Sequence, residues 1–240
     1  MLNIEIDGKP VQVTPGSTVM DGANALGIYV PHFCYHKKLS IAANCRMCLV
    51  EVEKAPKPLP ACATPAAEGM KVWTQSASAV KAQKGVMEFL LINHPLDCPI
   101  CDQGGECQLQ DLAVGYGGSS SRYNEPKRVV FHKDIGPLIS AEEMSRCIQC
   151  TRCVRFGQEI AGVMELGMIG RGEHAEIVAF VGKTVTPNCR AIRLTCARWA
   201  HSRRGPFAMP PARGSCRAAN RCRPMTVSAA TSSCRSRVTA

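Results

Sequence analysis

The sequence predicts an α+β protein made of small modules, each of which carries a cluster of cysteines. An alternation of apolar and polar residues opens the chain at residues 2–13, and a short helix and further strands are predicted after it. One histidine and three cysteines lie within the fourteen residues 94–107. A Cys-x2-Cys-x2-Cys run occupies residues 147–153. Together these features predict metal-binding modules.

Composition narrows the class of protein. The 240 residues are enough for two or three small domains. No stretch reaches the ~18 unbroken apolar residues of a membrane span, and the N-terminus lacks the basic region and apolar run of a signal peptide. Because the chain is therefore expected in the cytosol, its 15 cysteines favour metal ligation over disulfide bonds.

The first predicted unit is a β-hairpin followed by a helix. Residues 2–13 form the hairpin around a turn at Asp7-Gly8. Thr18, with Asp21 three residues later, begins a short helix that Gly27 ends. Two further strands are predicted at Leu49–Glu53 and Gly69–Trp73. The result is a small α+β unit that carries its cysteine loop on one side.

Four cysteines of this unit form the first candidate metal site: Cys34, Cys45, Cys48 and Cys62. In plant-type [2Fe–2S] proteins a short gap, a Cys-x2-Cys pair and a distant fourth cysteine follow one another. The first gap here, of ten residues, is longer than in that pattern. A zinc ribbon more often pairs two Cys-x2-Cys knuckles, and this unit has one. The spacing therefore favours iron–sulfur, with zinc as the alternative.

A helix leads into the second candidate site. Ser78 is predicted to cap a helix over residues 79–93. Met87, Leu91 and His94 fall on one face at i, i+4 and i+7. The next residue is a proline, which stops the helix and leaves His94 at its end, beside the cysteines that follow.

Three thiols follow that histidine, those of Cys98, Cys101 and Cys107. Gly104 and Gly105 allow the backbone to turn tightly enough to bring the last thiol back beside the other two. A lone histidine on an apolar face is usually a core residue, but three neighbouring cysteines favour a metal site. Zinc accepts three cysteines and a histidine as readily as iron does, so this cluster leaves the metal open.

The third candidate site lies beyond a predicted flexible linker at Gly115–Ser121. Ser140, with Glu143 three residues later, is predicted to begin a helix that leads into the triplet Cys147, Cys150 and Cys153. This triplet is the bacterial [4Fe–4S] pattern, which requires a distant fourth cysteine, normally followed by proline. Zinc seldom uses it, so the triplet is the most specific of the three signals for iron.

Three runs of residues resemble the iron–sulfur-rich G subunit of bacterial respiratory complex I, the NADH:quinone oxidoreductase. They are Asn44–Val52, Glu88–Cys107 and Arg146–Phe156. The second contains His-Pro-Leu-Asp-Cys-Pro-Ile-Cys-Asp-Gln-Gly-Gly-Glu-Cys, and the third reads Arg-Cys-Ile-Gln-Cys-Thr-Arg-Cys-Val-Arg-Phe. The resemblance covers residues 1 to about 185 and is to the N-terminal part of the family's chain. In the family a large molybdopterin-oxidoreductase-like domain follows.

The resemblance implies three iron–sulfur sites. It implies a [2Fe–2S] cluster on Cys34, Cys45, Cys48 and Cys62, and a [4Fe–4S] cluster on His94, Cys98, Cys101 and Cys107. It implies part of a second [4Fe–4S] site on Cys147, Cys150 and Cys153. The implied domains are a β-grasp ferredoxin-like [2Fe–2S] domain at 1–78, a small helical [4Fe–4S] domain at 79–118, a partial ferredoxin-like [4Fe–4S] domain at 119–185 and an aberrant tail at 186–240.

The resemblance also implies an electron relay in the peripheral arm of a proton-translocating enzyme, with this chain inactive on its own. No strand, Gly-x-Gly-x-x-Gly and helix follow one another, so NADH is expected to bind a flavin-bearing partner that passes single electrons on towards quinone. The expected partners are that NADH- and flavin-binding subunit and other peripheral-arm subunits, without nucleic acid or direct membrane insertion. The expected place is the cytoplasmic side of the bacterial inner membrane.

Two other functions remain open at this point. The chain could be the relay subunit of an NAD-linked hydrogenase or formate dehydrogenase, which share the first two cluster modules. A more distant alternative is a zinc protein that binds nucleic acid through a basic tail. The near-continuous match of the three cysteine-bearing runs favours complex I over the first alternative.

The basic character of the chain belongs to its last 55 residues. The net charge is +10, but residues 186–240 hold 11 arginines and no lysine, aspartate or glutamate, so residues 1–185 have a net charge of −1. A basic tail is typical of nucleic-acid binding, but no pattern of aromatic residues accompanies the arginines. Nucleic-acid binding is therefore not the favoured explanation of this tail.

A shift of reading frame accounts for the tail. After a Gly-Lys-Thr-Val such as residues 182–185, the family has Asp-Ser-Glu-Leu-Ser-Gly-Asn, whereas this chain has Thr-Pro-Asn-Cys-Arg-Ala. The two strings can be the same DNA read one base apart, so we expect a frameshift near Val185 and a disordered tail over 186–240. The family's fourth ligand falls at Ala197, beside Cys196. The second [4Fe–4S] cluster is therefore expected to be absent or labile in this chain.

Overall fold

A five-stranded sheet covered by one helix forms the N-terminal unit. The computed structural model describes residues 1–135, 140–141 and 143–180. The elements of this unit are β1 (Leu2–Ile6), β2 (Lys9–Val13), α1 (Val19–Ala25), β3 (Leu49–Val52), β4 (Leu59–Pro60) and β5 (Lys71–Trp73). The strand order is β2-β1-β5-β3-β4. β1 and β5 run parallel and the other pairs antiparallel, so the predicted α+β ferredoxin-like unit is confirmed.

Local chemistry at the start of the chain explains this unit. Asp7 and Gly8 have φ angles of 49° and 77°, the left-handed pair that a two-residue hairpin turn requires. The Asp7 carboxylate also accepts hydrogen bonds from the Thr74 backbone N–H (2.7 Å) and hydroxyl (2.6 Å), which joins the turn to the end of β5. At α1 the predicted capping box is present, because Thr18 and Asp21 each accept from the backbone N–H of the other.

Two helices follow, one of them unpredicted. α2 (Ala77–Ile92) begins two residues earlier than predicted, because Ser76 and not Ser78 is the cap: the Ser76 hydroxyl accepts from the Ala79 N–H at 3.1 Å. α3 (Gln108–Tyr116) was not predicted, and it extends two residues into the predicted linker. Leu109 and Leu112 are the buried residues of α3, at a helical spacing of three.

The third unit holds two small hairpins around a short helix. These elements are β6 (Lys133–Asp134), β7 (Ser140–Ala141), α4 (Arg152–Phe156), β8 (Leu166–Ile169) and β9 (Glu176–Ala179). The helix predicted to begin at Ser140 is wrong, because residues 140–141 pair with β6 as a strand. A 3-10 turn, Met144–Arg146, lies directly before the cysteine triplet. The tail predicted to be disordered, residues 186–240, lies outside the described residues.

An apolar core at the junction of the three units joins them. We call it the shared core; its buried residues are Phe33, Cys34, Met47, Met87, Leu109, Leu112, Ile148 and Cys150. Separate cores lie under the five-stranded sheet and between the hairpins of the third unit. Within the described part of the chain, no helix combines the length and apolarity that crossing a membrane requires. The shared core therefore holds the three units together by apolar contact.

Met87→Ala tests the shared core. The Met87 side chain is fully buried, so its removal leaves a cavity and should lower the free energy of unfolding by about 2–5 kcal/mol. Phe89→Ala on the same helix is the control. Because the Phe89 side chain is 70% exposed, its removal should lower the free energy of unfolding by less than about 1 kcal/mol. Urea unfolding followed by circular dichroism measures both. Equal losses would show that α2 does not pack as described.

Candidate metal centres

The four cysteines of the N-terminal unit meet beneath its loop. Cys34, Cys48 and Cys62 are each 1% exposed. The Cys34 sulfur lies within hydrogen-bonding reach of the sulfurs of Cys45 and Cys62, and Cys48 pairs with Cys62. The ten residues between Cys34 and Cys45 therefore do not separate the two thiols, although that gap is longer than in the plant-type pattern.

Backbone N–H groups surround these sulfurs. The Cys34 N–H donates to the Cys45 sulfur at 3.4 Å. The N–H groups of Asn44 and Cys45 point at the Cys34 sulfur, and that of Met47 points at the Cys45 sulfur. Left-handed residues at Ala43 (φ 50°) and Arg46 (φ 57°) bend the loop around the site. Successive N–H groups turned inwards form a concave site for negative charge, which suits thiolates.

The thiols share protons in this crowded arrangement. Hydrogen bonds from Cys45 and Cys62 lower the pKa of Cys34, and a hydrogen bond from Cys62 lowers the pKa of Cys48. The same contacts raise the pKa of Cys45 and Cys62, which act as the donors. These lowered pKa values favour the thiolate form at Cys34 and Cys48. Each iron of a [2Fe–2S] cluster needs two thiolates, so four sulfurs paired in this way fit such a cluster.

The central cysteines lie on a tight turn that only glycine permits. A Cβ atom on Gly104 would lie 2.7 Å from the carbonyl oxygen of Cys98 and 3.0 Å from that of Cys101. Gly105 has a φ of +87°, in the left-handed region. The turn then delivers Cys107 to the start of α3. The structure confirms that the backbone turns tightly at the two glycines; that the turn brings the Cys107 thiol beside the other two stays a prediction. Cys98 is exposed, and Cys101 and Cys107 are half-buried.

His94 sits at the end of α2 among basic groups. Burial lowers its pKa, and the nearby Lys127 lowers it further. The Lys127 ammonium donates to the carbonyl oxygens of Leu91 and Ile92, both at 2.9 Å, and so caps the C-terminus of α2. The lowered pKa favours the neutral imidazole, which is the form that binds a metal.

All three cysteines of the triplet are buried. Cys147 is 7% exposed, and Cys150 and Cys153 are each 3% exposed. Gln149 and Thr151 have φ angles of 49° and 58°, which fold the loop back on itself. The Gln149 N–H donates to the Cys147 sulfur at 3.4 Å. Burial raises the pKa of Cys147, which favours the protonated thiol.

Polar contacts link the triplet to both other sets. The buried Arg146 forms an ion pair of 2.9 Å with Asp97, which precedes Cys98. On the opposite side, the Arg155 guanidinium donates to the Cys34 carbonyl oxygen at 2.5 Å. A cavity of about 260 Å³ lies between the central set and the triplet, and its lining includes His94, Cys147 and Gln149. The sequence did not identify these arginines, because two arginines on either side of a cysteine triplet do not indicate which residues they contact.

The described residues do not include a site for a single metal ion. No group of three or more His, Cys, Asp or Glu side chains in that part of the chain is arranged to hold one. The N-terminal set is brought together as pairs of thiols, and the turn at Gly104 holds the central cysteines in one loop. All ten described cysteines are free of disulfide bonds. The ligand sets themselves stay predictions, and so does the fourth ligand of the triplet, which lies outside the described residues.

Three family models match the chain in sequence. Residues 1–77 match the 2Fe-2S iron-sulfur cluster binding domain. Residues 83–122 match the NADH-ubiquinone oxidoreductase-G iron-sulfur binding region, and residues 136–191 match the ferredoxin-like domain of NADH-quinone oxidoreductase subunit 3. These matches confirm an iron–sulfur protein with a 2Fe-2S domain, a further iron–sulfur binding region and a ferredoxin-like domain, in preference to the zinc alternative.

Curated relatives are similar over about three quarters of the chain. An NADH dehydrogenase [ubiquinone] iron-sulfur protein 1 from Solanum tuberosum is 56% identical over 78% of this chain and 25% of its own. The NADH-quinone oxidoreductase G subunit of Rickettsia felis is 55% identical over 77% of this chain and 27% of its own length. The NADH-ubiquinone oxidoreductase 75 kDa subunit of Reclinomonas americana is 55% identical over 76% of this chain and 26% of its own length. This chain therefore spans about a quarter of their length.

A solved structure shares the fold. It is a chain of an NAD+-reducing [NiFe]-hydrogenase in the H2-reduced state, 27% identical, with a TM-score of 0.76. The alignment covers 87% of this chain and 90% of that one. Its identity is about half that of the NADH-quinone oxidoreductase subunits.

Gly104→Ala tests the central site. The added methyl group would overlap two backbone oxygens, so the turn must open, and iron bound by the central set should be lost. Gly115→Ala is the control, because Gly115 lies in α3 with nothing within 4 Å of an added Cβ, and alanine is the better helix former. Iron and sulfide content after anaerobic reconstitution measures both variants. Full iron in the Gly104 variant would show that the turn is not needed.

Proposed function

We propose that this chain, which over about 185 residues belongs to the family of the NADH-quinone oxidoreductase G subunits, relays single electrons between protein partners. One observation carries the proposal: cysteines of all three sets lie in or against the shared core. Cys34 and Cys150 are buried in it, and Cys45 and Cys107 pack against it. Sites of electron transfer must lie close together, and a common core brings the three loops to one place.

The residues proposed to hold the clusters follow the three sets. A [2Fe–2S] cluster is assigned to Cys34, Cys45, Cys48 and Cys62, a [4Fe–4S] cluster to His94, Cys98, Cys101 and Cys107, and part of a further [4Fe–4S] site to Cys147, Cys150 and Cys153. When bound, such clusters supply one-electron oxidation and reduction. The protein's part is to hold the thiolates, to donate N–H groups to the sulfurs and to keep His94 neutral.

The partners and place of action follow the same proposal. The chain has no dinucleotide fingerprint, so a flavin-bearing partner would bind NADH and deliver electrons one at a time. In a complex of the NADH-quinone oxidoreductase type, the chain would lie in the peripheral arm on the cytoplasmic side of the inner membrane. Proton translocation would belong to the whole complex, and this chain would be inactive alone.

A relay subunit of an NAD-reducing hydrogenase is the second candidate. The coverage of 90% of the hydrogenase chain supports it, whereas identities of 54–56% support the NADH-quinone oxidoreductase family. Pull-down with the purified flavin-bearing NADH dehydrogenase subunit, in parallel with the corresponding hydrogenase subunit, separates the two. Retention by the hydrogenase subunit alone would favour the second candidate.

The visible spectrum of the anaerobically reconstituted chain tests the relay itself. We expect the charge-transfer absorption of iron–sulfur sites, and we expect dithionite to bleach it because electrons enter these sites. A colourless protein that holds zinc would overturn the proposal.

Cys45→Ser tests the assignment of the first site. Serine lacks the sulfur that contacts Cys34 and that is proposed as a cluster ligand, so the [2Fe–2S] signal in electron paramagnetic resonance should disappear. The central [4Fe–4S] signal should persist, because none of its ligands is changed. Loss of both signals would show that the shared core couples assembly of the two sites.

His94→Cys tests the second site. A thiolate adds one negative charge to the site, which should lower the reduction potential. Lys127 and Arg146 lie near enough to affect His94 and will offset part of this change. Redox titration followed by electron paramagnetic resonance measures the midpoint, with His132→Cys, at an exposed histidine, as the control. An unchanged midpoint would speak against His94 as a ligand.

A further inference from the structure

A buried arginine in the third unit hydrogen-bonds to the cysteine loop of the first unit. Arg155 is 7% exposed and lies on α4, two residues after Cys153. Its Nη2 donates to the Cys34 carbonyl oxygen at 2.5 Å and to the Cys150 carbonyl oxygen at 3.3 Å. One nitrogen therefore bridges a residue of the [2Fe–2S] set and a residue of the triplet.

The other nitrogens of the same guanidinium make further hydrogen bonds, to Ser40 of the first unit and to Thr151. Nη1 donates to the Ser40 carbonyl oxygen at 2.5 Å, and Nε donates to the Thr151 hydroxyl at 3.3 Å. Glu159, one helical turn further on, accepts from the Ser40 N–H at 2.7 Å and from the Ser40 hydroxyl. Only the planar fork of arginine can reach oxygens on several sides at once, so lysine could not reproduce this set of contacts.

Arg155 has no direct ion pair with a carboxylate among the described residues, although Glu159 lies near enough for the Arg155 charge to lower its pKa. The hydrogen-bond acceptors of Arg155 among the described residues are three backbone carbonyls and one hydroxyl. A buried cation is tolerated only where negative charge lies close by. Glu159 supplies part of that charge, and the ligands of clusters bound at the Cys34 and Cys150 loops would add to it on either side of the guanidinium. The guanidinium therefore acts on the charge of both loops as well as on their geometry.

We propose that Arg155 is a positioning residue that locks the Cys34 loop to the Cys150 loop and raises the reduction potential of the [2Fe–2S] site. The inference rests on the proposed function, because it requires a cluster on Cys34, Cys45, Cys48 and Cys62. Reduction adds one negative charge to that site, and a fixed positive charge nearby favours the reduced form. A unit charge close to a redox site inside a protein changes the equilibrium constant for its reduction by on the order of tenfold.

Substitutions at Arg155 separate the effect of its charge from the effect of its hydrogen bonds. In the full chain, Arg155→Met should lower the equilibrium constant for reduction of the [2Fe–2S] site by about tenfold, which is ~59 mV for one electron. Arg155→Lys keeps the charge, so its potential should stay near that of the wild type. With one nitrogen it cannot hold the loops together, so iron should pass to a chelator severalfold faster.

Two further variants complete the experiment. Arg155→Gln is a second uncharged replacement, for use where the Met variant does not hold its cluster. Arg122→Met is the control, because the Arg122 side chain is 83% exposed and pairs with Glu88 on α2. It should change neither the potential nor the rate of iron loss. Electron paramagnetic resonance during redox titration measures the potential, and absorbance of the iron–chelator complex measures release.

Each outcome decides the proposal. A Met or Gln variant with wild-type potential would overturn it, and so would a Lys variant whose potential falls as far as that of Met. Loss of the cluster from both uncharged variants but not from the Lys variant would support a need for the charge. Loss from all three would overturn the electrostatic role. A wild-type chain without a [2Fe–2S] signal would instead refute the proposed function.

Discussion

The packing of the shared core constrains every metal site in this chain. Its apolar residues are the sequence neighbours of the cysteines: Phe33 precedes Cys34, Met47 precedes Cys48, Leu109 follows Cys107 by two, and Ile148 follows Cys147. A side chain fixed in a close-packed core fixes the backbone on either side of it. The three loops are therefore positioned by burying the residues beside the ligands, and the sites come close together because those residues share one core.

Hydrogen bonds and an ion pair set the register of the loops, which apolar packing leaves undetermined. Apolar contacts set the distance between loops but not their register, because the hydrophobic effect has no direction. The directional contacts are the ion pair between Arg146 and Asp97, the bonds from Arg155, and a bond of 2.9 Å from the Asn44 amide to the Gln149 carbonyl. Each involves predicted ligands or residues one or two positions from them, except the bond from Arg155 to Ser40. Both arginines belong to the third unit, which consequently holds the other two in place.

The sequence predicted those features that depend on nearby residues. The hairpin at Asp7-Gly8, the capping box of Thr18 and Asp21 and the glycine turn after Cys101 each follow from the chemistry of a few adjacent positions. Competition between equivalent residues caused the error at α2, where Ser76 and Ser78 can both cap. At Ser140 a capping pattern was present, but pairing with β6 used that backbone as a strand. The contacts of Arg146 and Arg155 depend on the tertiary fold, and no local pattern indicates them.

The loop of the cysteine triplet shows how protein contacts can specify a metal site before the metal. Left-handed residues at Gln149 and Thr151 cost conformational energy, and such residues persist only where the surroundings determine them. Here the Gln149 carbonyl accepts from Asn44 and the Cys150 carbonyl accepts from Arg155, so the first unit and α4 hold this backbone on two sides. The geometry of three ligands is thus specified by contacts with residues that are not ligands.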